Sequence, residues 1–159
     1  MYYYIDDADS VDDLIGSHWS SLLRLFPELS NKCPWHKLNG CDWGWLLLEQ
    51  PQFAEHCEWD KVELYGSSWS SLLQKQPQFA DKCDWTKLAG IDWYYLLDKQ
   101  PRFARYCDWT KLSGDLHADL LCRKPELAEY DEYCDWNKLD ERNWSELLQK
   151  QPQFAKYRR

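Results

Sequence analysis

Residues 77–103 read PQFADKCDWTKLAGIDWYYLLDKQPRF, and this stretch decides the fold because it holds one whole turn of a pattern that recurs along the chain. The pattern is W-x-x-L-L-x-x-Q-P-x-F-A-x-x-C-D-W-x-K-L-x-G-x-D, after which the first Trp returns. Aligned on the Trp before Leu-Leu, the chain gives Trp19, Trp43, Trp69, Trp93, then His117 in the Trp position, then Trp144, at spacings of 24, 26, 24, 24 and 27 residues. Such self-similarity is the signature of a stacked repeat array. The two longer spacings have local causes: residues 61–66 (KVELYG) hold two more residues than 87–90 (KLAG), and residues 125–134 hold three more than 51–57. Insertions between apolar anchors are expected in connecting loops.

Within one repeat, Trp69, Leu72 and Leu73 stand at i, i+3 and i+4, which is one face of a helix and cannot be one face of a strand. A polar residue precedes the Trp in most repeats (Asp42, Ser68, Asp92, Asn143), and the spacing predicts these as helix N-caps. The helix is expected to end near Gln76, since the residue before a proline avoids helical dihedrals, and Pro77 then suits the start of a second short helix with Phe79, Ala80 and Cys83 on one side. Asp84 is placed to cap a third turn carrying Trp85 and Leu88, which Gly90 is expected to end. Helices this short do not survive alone in water, so stacking must hold them. The fold expected is an all-α solenoid of about six 24-residue repeats in one domain spanning 1–159: an N-terminal cap and half repeat over 1–18, five repeats over 19–143 and a C-terminal half repeat over 144–159. A leucine-rich-repeat horseshoe shares the period, but the L-x-x-L-x-L signature is absent and β-branched residues are few.

The segment at 77–88, P-x-F-A-x-x-C-D-W-x-K-L, resembles the tandem Trp/Cys units of uncharacterised bacterial and phage-borne proteins. The resemblance covers nearly the whole chain; it implies a short-helix solenoid and no particular activity.

Composition agrees with a packed protein: 159 residues, 44% hydrophobic and 16% aromatic, with 11 Trp and 10 Tyr. Lys and Arg number 19 against 27 Asp and Glu, a net charge of −8, which disfavours direct binding of nucleic acid and points to another protein as partner. No apolar run is long enough for a membrane span, and the start, MYYYIDDADSVDD, is the reverse of a secretory signal, so a cytoplasmic chain with reduced thiols is expected. Asp6, Asp7, Asp9, Asp12 and Asp13 form an acidic patch at the start, while Lys150, Lys156, Arg158 and Arg159 make a basic end. Opposite charges at the two ends allow head-to-tail self-association.

Candidate chemistry yields to the repeat. Cys33, Cys57, Cys83, Cys107 and Cys134 recur once per repeat and read as small buried apolar residues. Cys33, His36, Cys41, His56 and Cys57 could be arranged as a zinc site, but the Cys position recurs in repeats that lack the His. His117, Asp119 and Cys122 read as a degenerate repeat. Catalytic motifs and phosphate-cradling loops are absent, so no enzyme, cofactor or metal is expected. Lys37, Lys61, Lys87, Lys111 and Lys138 follow Glu58, Asp84, Asp108 and Asp135 by three residues in four repeats, a pattern expected to give solvated rows of alternating charge.

The informative positions are those where the repeats differ. The two residues between Trp and Leu-Leu run Ser20-Ser21, Gly44-Trp45, Ser70-Ser71, Tyr94-Tyr95, Ala118-Asp119 and Ser145-Glu146. They lie off the apolar stripe, so Trp45, Tyr94 and Tyr95 are candidate partner-binding residues, with Arg102, Arg105 and Tyr106 expected nearby. The function expected is a non-catalytic protein-binding scaffold. The alternative is an acidic mimic of nucleic acid that inhibits a nucleic-acid-binding protein, such as a phage-encoded anti-defence protein.

Overall fold

The computed structural model describes residues 13–133 and 135–158. Among them there is no strand: the fold is an all-α solenoid of helical repeats built on six α-helices of ten residues each. These are α1 (Gly16–Leu25), α2 (Gly40–Glu49), α3 (Gly66–Lys75), α4 (Gly90–Lys99), α5 (Gly114–Arg123) and α6 (Glu141–Lys150). The chain divides into an N-terminal half, Met1–Lys82, and a C-terminal half, Cys83–Arg159. In the first, α1 packs on α2 and α2 on α3; in the second, α4 packs on α5 and α5 on α6. No helix among the described residues is long and apolar enough to cross a membrane.

Each α-helix stops at the residue before proline, as at Gln76, and a six-residue segment follows, for example Pro77–Lys82. That segment is a 3₁₀ helix rather than an α-helix; Pro fixes the first turn and the run is too short to repay α-helical nucleation. A one-turn 3₁₀ helix, Trp85–Lys87, comes next, and Asp84 caps it by accepting from the Thr86 N–H at 3.1 Å. The insertion at 61–66 falls in a connection, as expected. The other lengthens a 3₁₀ run, Pro125–Tyr133, which bends at Tyr130.

Two expectations are corrected here. Asp42, Ser68, Asp92 and Asn143 are not N-caps but third helical residues, and the caps lie three earlier at Asn39, Tyr65, Ala89 and Asp140. Asp42 still serves the helix end from the other side: its Oδ2 accepts from the Asn39 N–H at 3.0 Å while Asn39 Oδ1 accepts from the Asp42 N–H at 3.1 Å, a reciprocal capping box. Gly90 does not end the third turn; it opens α4. A Cβ on Gly90 would overlap the backbone carbonyl of Lys111 in the next layer, and one on Gly40 would overlap that of Glu63. Glycine marks where one helix N-terminus meets the following layer.

The core is a ladder. Trp43, Leu46 and Leu47 of α2 are buried, as are Trp93, Leu96 and Leu97 of α4. In four repeats the third-turn Trp stacks on the helix Trp that follows: Trp35 on Trp43 at 5.5 Å, Trp59 on Trp69 at 5.8 Å, Trp85 on Trp93 at 5.5 Å and Trp136 on Trp144 at 5.8 Å. The phenyl rings of Phe53, Phe79, Phe103 and Phe154 close the cluster at 5.4–5.9 Å. Offset aromatic packing at these separations adds about 0.5–1.5 kcal/mol per pair beyond the area buried.

The recurrent lysines stand beside the recurrent acids, Lys87 and Lys111 near Asp84 and Lys111 and Lys138 near Asp108, and they also reach backbone across the layers. Lys111 Nζ donates to the carbonyls of Thr86 and Leu88, at 2.9 and 2.8 Å, and Lys138 Nζ donates to those of Thr110 and Leu112. Lys37 reaches the Leu14 carbonyl at 3.2 Å. A backbone carbonyl that ends a 3₁₀ turn needs a donor, and the long side chain from the next layer supplies it. Lys61 pairs directly with its own acid, Glu58. Glutamines before proline do similar work: Gln50, Gln76 and Gln151 donate to the carbonyls of Arg24, Leu48 and Cys122.

Candidate binding surface

Position six of each α-helix points away from the core, since two residues beyond the buried Trp is a rotation of roughly 200°. Trp45 occupies it in α2 and is 61% exposed; Tyr95 occupies it in α4 and is 55% exposed. Position five is different. It faces the neighbouring layer and is small and buried at Ser20, Gly44, Ser70 and Ala118. Tyr94 is too large for that slot, so its ring meets Tyr95 edge-on at 5.3 Å and its hydroxyl reaches α5, donating to Asp119 and accepting from Arg123 at 3.2 Å. Arg123 also pairs with the buried Asp98 at 2.9 Å. Burial would raise the Asp98 carboxyl, but Lys99 and Arg123 outweigh it and hold the group below its ordinary range. The hydrogen bond to Asp119 raises the Tyr94 phenol. Tyr94 is therefore a tie between α4 and α5, whereas Trp45 and Tyr95 stand outward.

Trp45 separates two grooves in the N-terminal half. Between α2 and α3 lies one of about 400 Å³, lined by Cys41, Gly44, Trp45, Leu48, Tyr65, Ser67, Ser68 and Ser71. Its floor is low because residue 44 has no side chain: a Cβ there would lie 3.3 Å from the Ser68 Cβ. Its far wall is Tyr65, the N-cap residue of α3, 65% exposed. On the other side of Trp45, α1 and α2 frame a shallower groove of about 280 Å³ with Ser17, Ser20, Ser21, Arg24 and Asp42. Tyr65 escaped the sequence reading because it lies in the insertion at 61–66; an aromatic directly before a helix-opening Gly was the available signal.

Arg102, Arg105 and Tyr106 pack within their own repeat's aromatic cluster. Tyr106 stacks on Trp85 at 4.6 Å, Arg105 lies over the Tyr106 ring at 4.8 Å, and Arg102 lies over Phe103 at 5.3 Å. The same slot holds Tyr157 on Trp136 at 4.4 Å and His56 on Trp35 at 4.3 Å, which explains His56 as a stacking ring. Of the acidic patch, Asp13 is exposed; Asp6, Asp7, Asp9 and Asp12 lie outside the described residues.

Burial pushes the Cys33 thiol up to about 11 and those of Cys57 and Cys83 to about 12, so these sulfurs stay protonated and behave as small apolar groups. Cys41, in the groove wall, is exposed. Among the described residues no group of three or more His, Cys, Asp or Glu is placed to hold a metal ion. A hollow of about 720 Å³ beside α6 is lined by Asp135, Asp140 and Glu141, but these carboxylates are already engaged by Asn137, Asn143 and Arg158.

Comparison with known families, curated proteins and solved structures gives no match in any of the three.

Proposed function

We propose that this chain is a non-catalytic scaffold that binds another protein through the outward aromatics of its repeat helices. One observation carries the reading: Trp45, Tyr65 and Tyr95 stand more than half exposed, while the repeat-defining helix Trp residues 19, 43, 69, 93 and 144 are all buried. Trp45 and Tyr65 thus stand outside the buried Trp ladder, and Tyr95 meets the Tyr94 ring at its edge. Tyr and Trp give large rigid contact area at small entropic cost, and flanking Ser and Gly supply adaptable polar contact, which is the composition of protein-binding surfaces. The free cysteines among the described residues support the reading of a scaffold at work in a reducing compartment such as the cytoplasm.

Capture from lysate with the wild-type chain and with a Trp45→Ser/Tyr65→Ser/Tyr95→Ser variant tests the proposal. The variant is expected to melt like the wild type and to lose a captured protein. Capture unchanged by the three substitutions would place the binding surface elsewhere.

A further inference from the structure

Resting on the protein-binding reading above, we infer that the paired grooves around Trp45 take an uncharged, proline-rich segment in the polyproline II conformation. Three properties of the site select that occupant.

The first is charge. The groove between α2 and α3 is lined by no carboxylate, amine or guanidinium, its ionisable groups being the Cys41 thiol and the Tyr65 phenol. The α1/α2 groove carries one charge of each sign, Arg24 and Asp42, although the chain carries net −8. An acidic segment is repelled by the whole molecule, and a basic one finds no carboxylate in the α2/α3 groove to pair with. The second is hydrogen bonding. A polyproline II strand has no internal hydrogen bonds, and its prolines present carbonyls without N–H groups, so it needs donors and offers almost none. The groove supplies the Trp45 indole N–H, the Tyr65 hydroxyl and the hydroxyls of Ser67, Ser68 and Ser71. The third is spacing. Polyproline II has three residues per turn and rises about 3.1 Å per residue, so it advances roughly 9 Å per turn. Packed helix layers lie about 8–10 Å apart. A segment crossing α2 therefore places one proline in the α1/α2 groove and the third residue after it in the α2/α3 groove, with Trp45 between them. Aromatic walls of this kind are how proline-rich segments are read, and the preformed helix keeps the ordering cost low enough for a shallow site.

The experiment is selection of random phage-displayed peptides on the intact protein, counter-selected on Trp45→Ser, followed by titration of blocked decaproline into wild type, Trp45→Ser, Tyr65→Ser and, as a control on α6, Arg142→Ala. The inference predicts peptides with prolines three residues apart. It also predicts decaproline binding weakened about tenfold or more by either aromatic substitution and unchanged by Arg142→Ala. Circular dichroism on each variant confirms the fold. Peptides that need Trp45 but lack the proline spacing would overturn this occupant and leave the protein-binding reading standing. Failure to select any Trp45-dependent peptide, or Trp45-dependent binding of a neutral oligosaccharide instead, would overturn both.

Discussion

His117 occupies the position that Trp holds in the other five helices, 2% exposed, with its ring 5.8 Å from Trp109 and 5.6 Å from Trp136. Its Nε2 has no hydrogen-bond partner among the described residues, and burial, followed by the Lys138 charge, pulls its pKa from 6.5 down to about 4. The folded state thus keeps the ring neutral where the unfolded chain takes up a proton. Stability from this group is complete above about pH 6.5 and is lost as pH falls toward 4, a change on the order of 3 kcal/mol. Denaturant unfolding at a series of pH values should show that loss in the wild type and a flatter profile in His117→Phe; parallel profiles would mean that His117 is not the group responsible. At this scale the sequence showed that His117 stands in a stacking slot, but it did not separate Tyr94 from Tyr95. Both lie off the apolar stripe, and only the neighbouring layer distinguishes a position five that meets α5 from a position six that meets solvent.

Helix starts give the sharpest tests at the level of elements. The Gly90 Cβ position is already filled by the Lys111 carbonyl, so Gly90→Ala must move backbone and should cost about 1–3 kcal/mol or more, measured by chemical denaturation. A neutral outcome would mean the layers are not packed that closely. Next to it, Ala89 caps α4 without a side-chain acceptor, although Asp92 already accepts from the Ala89 N–H at 2.9 Å. Ala89→Asn would complete the capping box seen at Asn39 and Asp42, and should raise stability by about 1 kcal/mol. Helix existence and the stop before proline were legible from spacing and the missing proline N–H. The start was not, because an acid at the third helical position looks, in sequence, like a cap for the Trp after it.

For the molecule as a whole, the recurrent residues resolve into a stacking code: Trp and Phe for the aromatic cluster, Gly for close approach, Lys and Gln for donors to the preceding layer. Lys111→Met leaves the Thr86 and Leu88 carbonyls without that donor and should cost about 1 kcal/mol, far more than loss of a solvated surface charge. Glu141 departs from the code where α6 begins, since the other five helices open with Gly. The repeat was readable because each residue of the code appears several times. The grooves beside Trp45 were not, because they arise from a missing side chain at Gly44 and from Tyr65 in an insertion, each present once.

Recurrent residues build the stack, and on α2 the recurrent Trp43 and the non-recurrent Trp45 stand two residues apart, one buried and one exposed. Equilibrium unfolding of Trp43→Ser and Trp45→Ser tests this most directly. The expected result is a loss of about 3–5 kcal/mol for Trp43→Ser, as for large core truncations, and a change within about 0.5 kcal/mol for Trp45→Ser. Comparable losses at both positions would place Trp45 in the core and contradict the binding surface built around it.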